Sequence, residues 1–486
     1  MSINLNTQFL LPNNIIMKAL SYIFLITYSF LLSDVNAQLS YTQPTYEYDS
    51  IVNVEYGIAT NYVRNSDTLL MDIYKPYGDN NCLRPIMILA HGGAWVVESK
   101  ENSSMQFMAR ELAKRGWVVA NINYRLGTNK TDNYTSNFLC NSLGIDACTY
   151  AADTAEVERA NYRAMQDAKG AIRFMKERNL IDSTDIYNVF MAGESAGAFI
   201  SLSAGFTDDI SKKPASCYAI GNAVTPSSAL ASLPCSDTPN DLTRPDLGNV
   251  EGLLNTGTYN SSLKGVGSFF GGVFNTDLLD GLINPPSIYL YCQGSDVIVN
   301  YNYGPLFERL SSECFSFLGC TEIVGYPNAY GGEGIKSYFE SVLVDTNTYY
   351  KDIIYNNQPN NDCQANGHEI EDPQLRLQNM IDFFAQKIVD SGNIPTANCM
   401  PLKINSIWND DNILVKNPFQ EKIEVELIAP VLKSEYILTN MVGKILGFGQ
   451  LKSGKNTINT SKLTNGVYLL NIRNSKKSKA YKLLKN

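Results

Sequence analysis

Between Asn188 and Ile200 the chain reads Asn188-Val189-Phe190-Met191-Ala192-Gly193-Glu194-Ser195-Ala196-Gly197-Ala198-Phe199-Ile200, and no other stretch limits the fold as tightly. Four apolar residues run into a serine framed by Gly193 and Gly197, and small or apolar residues continue beyond. That order predicts a buried strand, a sharp turn and a helix. In such a turn the serine takes a positive φ at the strand's end, with its hydroxyl raised above the sheet near a helix N-terminus. Glycines on both sides let strand and helix approach closely.

The neighbouring segments fit one sheet. Gln38 to Pro76 alternates as an opening antiparallel pair, while Pro85 to Ala90 and Trp117 to Ile122 are continuous apolar runs of the kind buried on both faces. Helical spacing marks Ser104 to Arg115, Glu156 to Glu177 and Gln374 to Val389. Tyr218 to Val224 and Ser287 to Cys292 read as further strands. Thr225 to Pro286 reads as a cap or lid, and Tyr301 to Cys363 as a long insertion. Strands alternating with helices predict an α/β fold, a mostly parallel sheet flanked by helices, with ligand sites beyond the strands' C-terminal ends. His91, Ser195 and Asp296 each follow an apolar run, which puts them on one rim.

Charge divides the chain. From Leu402 to Asn486 there are 14 Lys and Arg against 6 Asp and Glu, a net +8, which leaves 25 against 42, or −17, for the rest. The tail has neither Cys nor His, and all ten Cys lie between Cys82 and Cys399. Alternation in Ile423 to Ile428 and Val467 to Ile472 predicts a small β-sandwich in the tail. A pI near 5.0 offers no basic face to a phosphate backbone, so no nucleic-acid partner is expected. Met17-Lys18, the apolar run Ala19 to Leu32 and Val35-Asn36-Ala37 form a secretory signal peptide over residues 1–37, with residues 1–16 as an upstream extension. No other long apolar run exists, so no membrane span is expected in the mature chain. Export makes disulfides the expected state of the cysteines. Cys140 with Cys148, Cys217 with Cys235 and Cys314 with Cys320 are near enough in sequence to pair, and Cys292, in an apolar run, reads equally well as a buried thiol.

A serine hydroxyl near neutral pH needs a general base within hydrogen-bond reach. There are two histidines. His91 sits in a Gly-Gly turn where the flanking amides matter more than the ring, which leaves His368, in a late loop, as the base. A carboxylate must hold that imidazole, and Asp296, just past a strand, fits, although Asp362 and Asp372 lie nearer in sequence. Backbone N–H groups of Gly92, Gly93 and Ala196 are placed to receive an oxyanion. Two histidines do not build the usual His-rich zinc site, and no Gly-x-Gly-x-x-Gly opens a helix, so neither a metal nor an organic cofactor is expected.

On these residues, about Tyr46 to Lys387 resembles the α/β-hydrolase superfamily and its carboxylesterase and lipase branch. His91-Gly92-Gly93-Ala94 resembles the oxyanion motif, Gly193-Glu194-Ser195-Ala196-Gly197 the nucleophile elbow, and Asn123-Tyr124-Arg125-Leu126-Gly127 a segment common in that branch. The resemblance implies a secreted serine esterase with Ser195 as nucleophile, His368 as base, Asp296 as acid, and Gly92, Gly93 and Ala196 as oxyanion hole. Its substrates would be small or polysaccharide-borne esters. Ala94 departs from the many relatives with a third Gly. Asp296 stands where the larger relatives carry Glu. Gly443-Lys444, Leu463 to Leu470 and the Lys-rich end resemble the C-terminal sorting domain of the type IX secretion system of Bacteroidetes, implying that machinery as partner. A carbohydrate-binding module is the other reading of the tail. The domains expected are thus 1–37, 38–401 with insertions at about 225–286 and 301–363, and 402–486. A prolyl-oligopeptidase-like peptidase and a catalytically silent binding protein on the same scaffold are the rival readings.

Overall fold

The computed structural model describes residues 41–79, 81, 83–130, 151–224, 242–282, 284–309, 325–343, 353–358, 368–390, 413–416, 419–427, 434–440, 444–473 and 478–485. The expected signal peptide, the boundary at 402, Asp362 and every cysteine except Cys217 and Cys292 lie outside them.

The apolar run before His91 is β3 (Arg84–Ala90), and it lies at the centre of an eight-stranded sheet. Ile86, Ile88 and Ala90 enter one core while Met87 and Leu89 enter the other, so continuous apolarity is what a strand covered on both faces requires. In chain order the other strands are β1 (Glu47–Thr60), β2 (Ser66–Tyr77), β4 (Val118–Ile122), β5 (Thr184–Glu194), β6 (Gly265–Phe269) and β7 (Ser287–Gln293). A short ribbon of β8 (Tyr303–Pro305) and β9 (Asn328–Tyr330) precedes β10 (Ile353–Gln358). The sheet order is β1-β2-β4-β3-β5-β6-β7-β10. β1 and β2 are antiparallel to their neighbours and every pair from β4 to β10 is parallel. Helices α1 (Ser103–Lys114) and α5 (Pro373–Asp390) cover one face. The other face carries α2 (Thr154–Glu177), α3 (Ala196–Phe206) and α4 (Gly332–Leu343).

Two strands of the eight-stranded sheet lie where the sequence predicts none. Tyr218 to Val224 forms a lone bridge, Ile220 to Arg244, and no sheet strand. Its place between β5 and β7 is taken by β6, inside the segment read as a lid. The reason is packing. A Cβ on Gly265 would stand 2.7 Å from the Phe384 ring, and one on Gly267 would stand 2.7 Å from Met380 Sδ and 2.9 Å from Ala192 Cβ. Close packing against α5 therefore demands glycine and removes the β-branched signature. Likewise β10 closes the sheet from within the expected 301–363 insertion. The tyrosines there are spent on packing: Tyr326 lies edge-on to Phe307 and Tyr330 against Tyr303.

Cys217 corrects the disulfide expectation. It ends a short 3-10 turn as a buried free thiol, its Sγ 3.8 Å from the Glu158 carbonyl of α2, and burial pushes its pKa up to about 12. Cys292, in β7, is also a buried free thiol. There is no disulfide among the described residues.

Past the eight-stranded sheet in the chain, β11 (Ile413–Val415), β12 (Lys422–Leu427) and β15 (Gly454–Asn459) form one sheet. β13 (Ser434–Asn440), β14 (Ile445–Leu451), β16 (Gly466–Arg473) and β17 (Ser478–Lys485) form a second. Ile423, Val425 and Leu427 from the first share one core with Leu438, Leu470 and Ile472 from the second. The predicted alternation is thus the inner face of a β-sandwich. Among the described residues no helix is long and apolar enough to cross a membrane.

Candidate active site

β3, β5, β6 and β7 end side by side on one rim, because parallel strands in register terminate together. Ser195 follows β5 directly and caps α3, with φ 51° and ψ −119°. Those angles suit glycine and cost a residue with a Cβ about 1–3 kcal/mol, which the surrounding structure must supply. It does so by close approach. Ser195 N–H donates to the Phe269 carbonyl at the end of β6, and a Cβ on Gly197 would fall 2.0 Å from the Ala90 carbonyl oxygen. Both groups in that clash are backbone, so neither can step aside. Gly197→Ala is expected to lower stability by about 3 kcal/mol or more, read as a shifted denaturant midpoint at unchanged slope.

His368 reaches the same rim from the loop before α5. Its Nδ1 lies 3.0 and 2.9 Å from the two Asp296 carboxylate oxygens, and its Nε2 lies 2.9 Å from Ser195 Oγ. A carboxylate only accepts, so Nδ1 carries the proton and Nε2 is left to accept from the serine hydroxyl. Asp296 is buried, and its Oδ1 also accepts the backbone N–H of Ile298 and Val299, which fixes the carboxylate before the imidazole arrives. Asp372, the nearer candidate in sequence, is occupied elsewhere: it caps α5, accepting from Leu375 N–H. Phe270, unforeseen from sequence, holds a positive φ of 43° and lays its ring 4.5 Å from that of His368.

The turn after β3 supplies the third side. A Cβ on Gly92 would stand 3.3 Å from Ser195 Cβ, so the turn passes directly beside the hydroxyl. Gly93 has φ 93°, and Ala94 and Trp95 follow at 50° and 61°, a strained run that only a tightly held loop keeps. Tyr124 holds it by donating to the carbonyls of His91 and Gly92 while its ring stacks on the His91 ring at 4.4 Å. This gives a role to a segment that sequence marked only by resemblance. Trp95 is tied to Asn161 of α2 and packs edge-on to Phe199 of α3. Among the described residues no protein acceptor takes the N–H of Gly92, Gly93 or Ala196. His91 is fully buried, and desolvation lowers its pKa to about 4. It donates from Nδ1 to the Gly92 carbonyl, and so serves the turn and not the serine.

Glu194, the residue before Ser195, was also missed. It is buried, accepts from Ser104 of α1, and desolvation raises its pKa to about 7. Between about pH 4.5 and 7 the folded chain therefore binds more protons than the unfolded one, so this group costs stability as pH rises through that window. Glu194→Gln is expected to raise stability above pH 7 by up to about 3 kcal/mol and to leave it nearly unchanged below pH 4.5, checked by Tm against pH for both proteins.

Two family models match the chain. Residues 71–136 match BD-FAE, an esterase-like domain, and residues 417–486 match the secretion system C-terminal sorting domain. No curated protein matches. Solved structures similar to the chain include a truncated carbohydrate esterase from gut microbiota, at 18% identity over 71% of this chain and 98% of that one, with a TM-score of 0.39. They also include a thermophilic esterase of Thermogutta terrifontis with propionate bound, at 13% identity over 72% of this chain and 95% of that one, TM-score 0.36. Esterase B from Lactobacillus rhamnosis matches at 11% identity over 78% of this chain and 99% of that one, TM-score 0.38. The strand order and the strained serine on the central rim give an α/β-hydrolase fold in which residues 71–136 match an esterase-like domain, and residues 417–486 add a type IX secretion sorting domain that indicates export to the cell surface or medium.

Proposed function

We propose that the protein is an exported serine hydrolase that cleaves carboxylic esters through an acyl-enzyme. The observation that carries this is the unbroken line from Ser195 Oγ through His368 to Asp296, at 2.9 Å and 2.9 to 3.0 Å. Ser195 Oγ attacks the ester carbonyl carbon as His368 Nε2 takes its proton, and Asp296 stabilises the imidazolium. The carbonyl oxygen becomes an oxyanion facing the N–H groups of Gly92, Gly93 and Ala196, each donor worth about 3 kcal/mol in the transition state. Collapse expels the alcohol, which takes the proton from His368. Water, deprotonated by the same nitrogen, then releases the acid and restores the serine. In this reading residues 1–37 direct export, 38–401 carry the chemistry with its ester substrate, and 402–486 engage the type IX machinery.

The test is covalent labelling of the full chain by a fluorophosphonate, followed by rates on p-nitrophenyl esters of increasing acyl length and on acetylated and feruloylated polysaccharides. Labelling with ester turnover upholds the proposal. A folded wild-type protein that stays unlabelled would transfer the scaffold to a binding role, and faster cleavage of Pro-containing amides than of aryl esters would make it a peptidase.

A further inference from the structure

Away from the serine, the N-terminal half of α2 borders a cleft of about 170 Å³ walled by the loop after β1, the chain just past β4 and residues 243–247. Five arginines line it, Arg64, Arg125, Arg159, Arg163 and Arg244, against two carboxylates, Glu156 and Asp246. The carboxylates are already engaged. Glu156 meets Arg244 and accepts the Asn129 N–H, and Asp246 pairs with Lys213. Arg125 is held by Asp167.

Arg159 and Arg163 are different. Each is 3% exposed, and neither forms an ion pair among the described residues. Arg159 donates to the carbonyls of Ser216, Tyr218 and Pro245. Arg163 donates to the Gly127 carbonyl, and its Nε finds no acceptor at all. Carbonyl dipoles satisfy N–H groups but supply no counter-charge, the one carboxylate acting on both, Glu156, is shared with Arg244, and a buried ion short of counter-charge costs several kcal/mol. Composition does not explain the shortage, because residues 1–401 carry a net −17. Among the described residues, two buried guanidiniums that face a cavity share one nearby carboxylate, Glu156, and pair directly with none.

We propose that this cleft binds an oxyanion, a carboxylate or phosphate group, clamped by Arg159 and Arg163 from α2 with Arg64 and Arg244 around it. Guanidinium forks match both anions, each offering paired oxygens to parallel N–H donors. The cleft also touches the candidate active site through one strut: Arg163 holds the Gly127 carbonyl, and Gly127 N–H donates to the Trp95 carbonyl in the strained turn after β3.

The experiment is thermal unfolding and calorimetric titration of the full chain with inorganic phosphate and with D-galacturonate, against glucose and NaCl at matched ionic strength. A saturable rise in Tm with phosphate alone, with galacturonate alone or with both is the expected result, and the pattern names the source of the anion. Arg64→Gln, on the exposed rim, and Arg163→Gln, in the floor, are expected to weaken binding about tenfold or more. Weakening in either variant supports the cleft. No rise beyond that of NaCl in the wild type, or an undiminished rise in both variants, overturns it. Fluorophosphonate labelling of Ser195 is read in parallel and stands or falls independently.

Discussion

Ser195→Ala is expected to lower kcat on an activated ester by about 10⁴ to 10⁶-fold, to leave KM within a small factor and to abolish fluorophosphonate labelling. The hydroxyl is the only atom removed, so packing around the elbow persists and Tm should not fall. A second substitution separates chemistry from strain. Ser195→Gly also removes the hydroxyl, but glycine occupies φ 51°, ψ −119° without a Cβ penalty, so its Tm should rise above that of Ser195→Ala by the equivalent of about 1 kcal/mol or more. Equal loss of activity with unequal stability is the signature of a nucleophile held under tension. Activity retained in either variant would remove Ser195 from the reaction.

Asp296→Asn is expected to cost about 10⁴ in kcat, less than the loss of the base itself. Asparagine keeps the volume, and its carbonyl can still accept from Ile298 and Val299 N–H, so the loop stays folded. The carboxamide cannot hold Nδ1–H with the same charge, however, and can turn its NH₂ toward the ring. That selects the tautomer whose proton sits on Nε2, pointing at a hydroxyl that then has no base. The deficit should therefore lie in kcat and in the labelling rate, with KM and Tm nearly unchanged. Asp372→Asn, by contrast, touches only the cap of α5 and should leave kcat unaltered. A large kcat loss at Asp372 with none at Asp296 would reverse the assignment of the acid.

The Phe270 ring beside His368 and the Tyr124 brace under the Gly92 turn show how the rim is held between such residues. Neither hydrogen-bonds the serine hydroxyl, which meets His368. Both act by restricting where the imidazole and the amides sit, which is why a site of this kind tolerates a strained serine and a run of positive-φ residues.

What the sequence determined by itself was local or countable. The Gly-x-Ser-x-Gly turn is legible because its geometry depends on residues adjacent in the chain, and two histidines permit assignment by elimination. Continuous apolarity marked β3 and β4, alternation marked the sandwich strands, and uneven charge marked the tail. Tertiary structure decided everything set by contact between distant segments. β6 carries glycine where a strand ordinarily carries Val or Ile, since Phe384, Met380 and Ala192 fill the space a side chain would need. Asp296 stands 72 positions from His368, nearer candidates notwithstanding, because strand ends and not chain distance bring carboxylate and imidazole together. The neutral, buried His91, the raised pKa of Glu194 and the thiol of Cys217 follow from desolvation, a property of the packed interior that no residue carries alone. Arg159 and Arg163 of α2, without an ion pair among the described residues, belong to the same class, since a shortage of counter-charge is visible only in the packed interior.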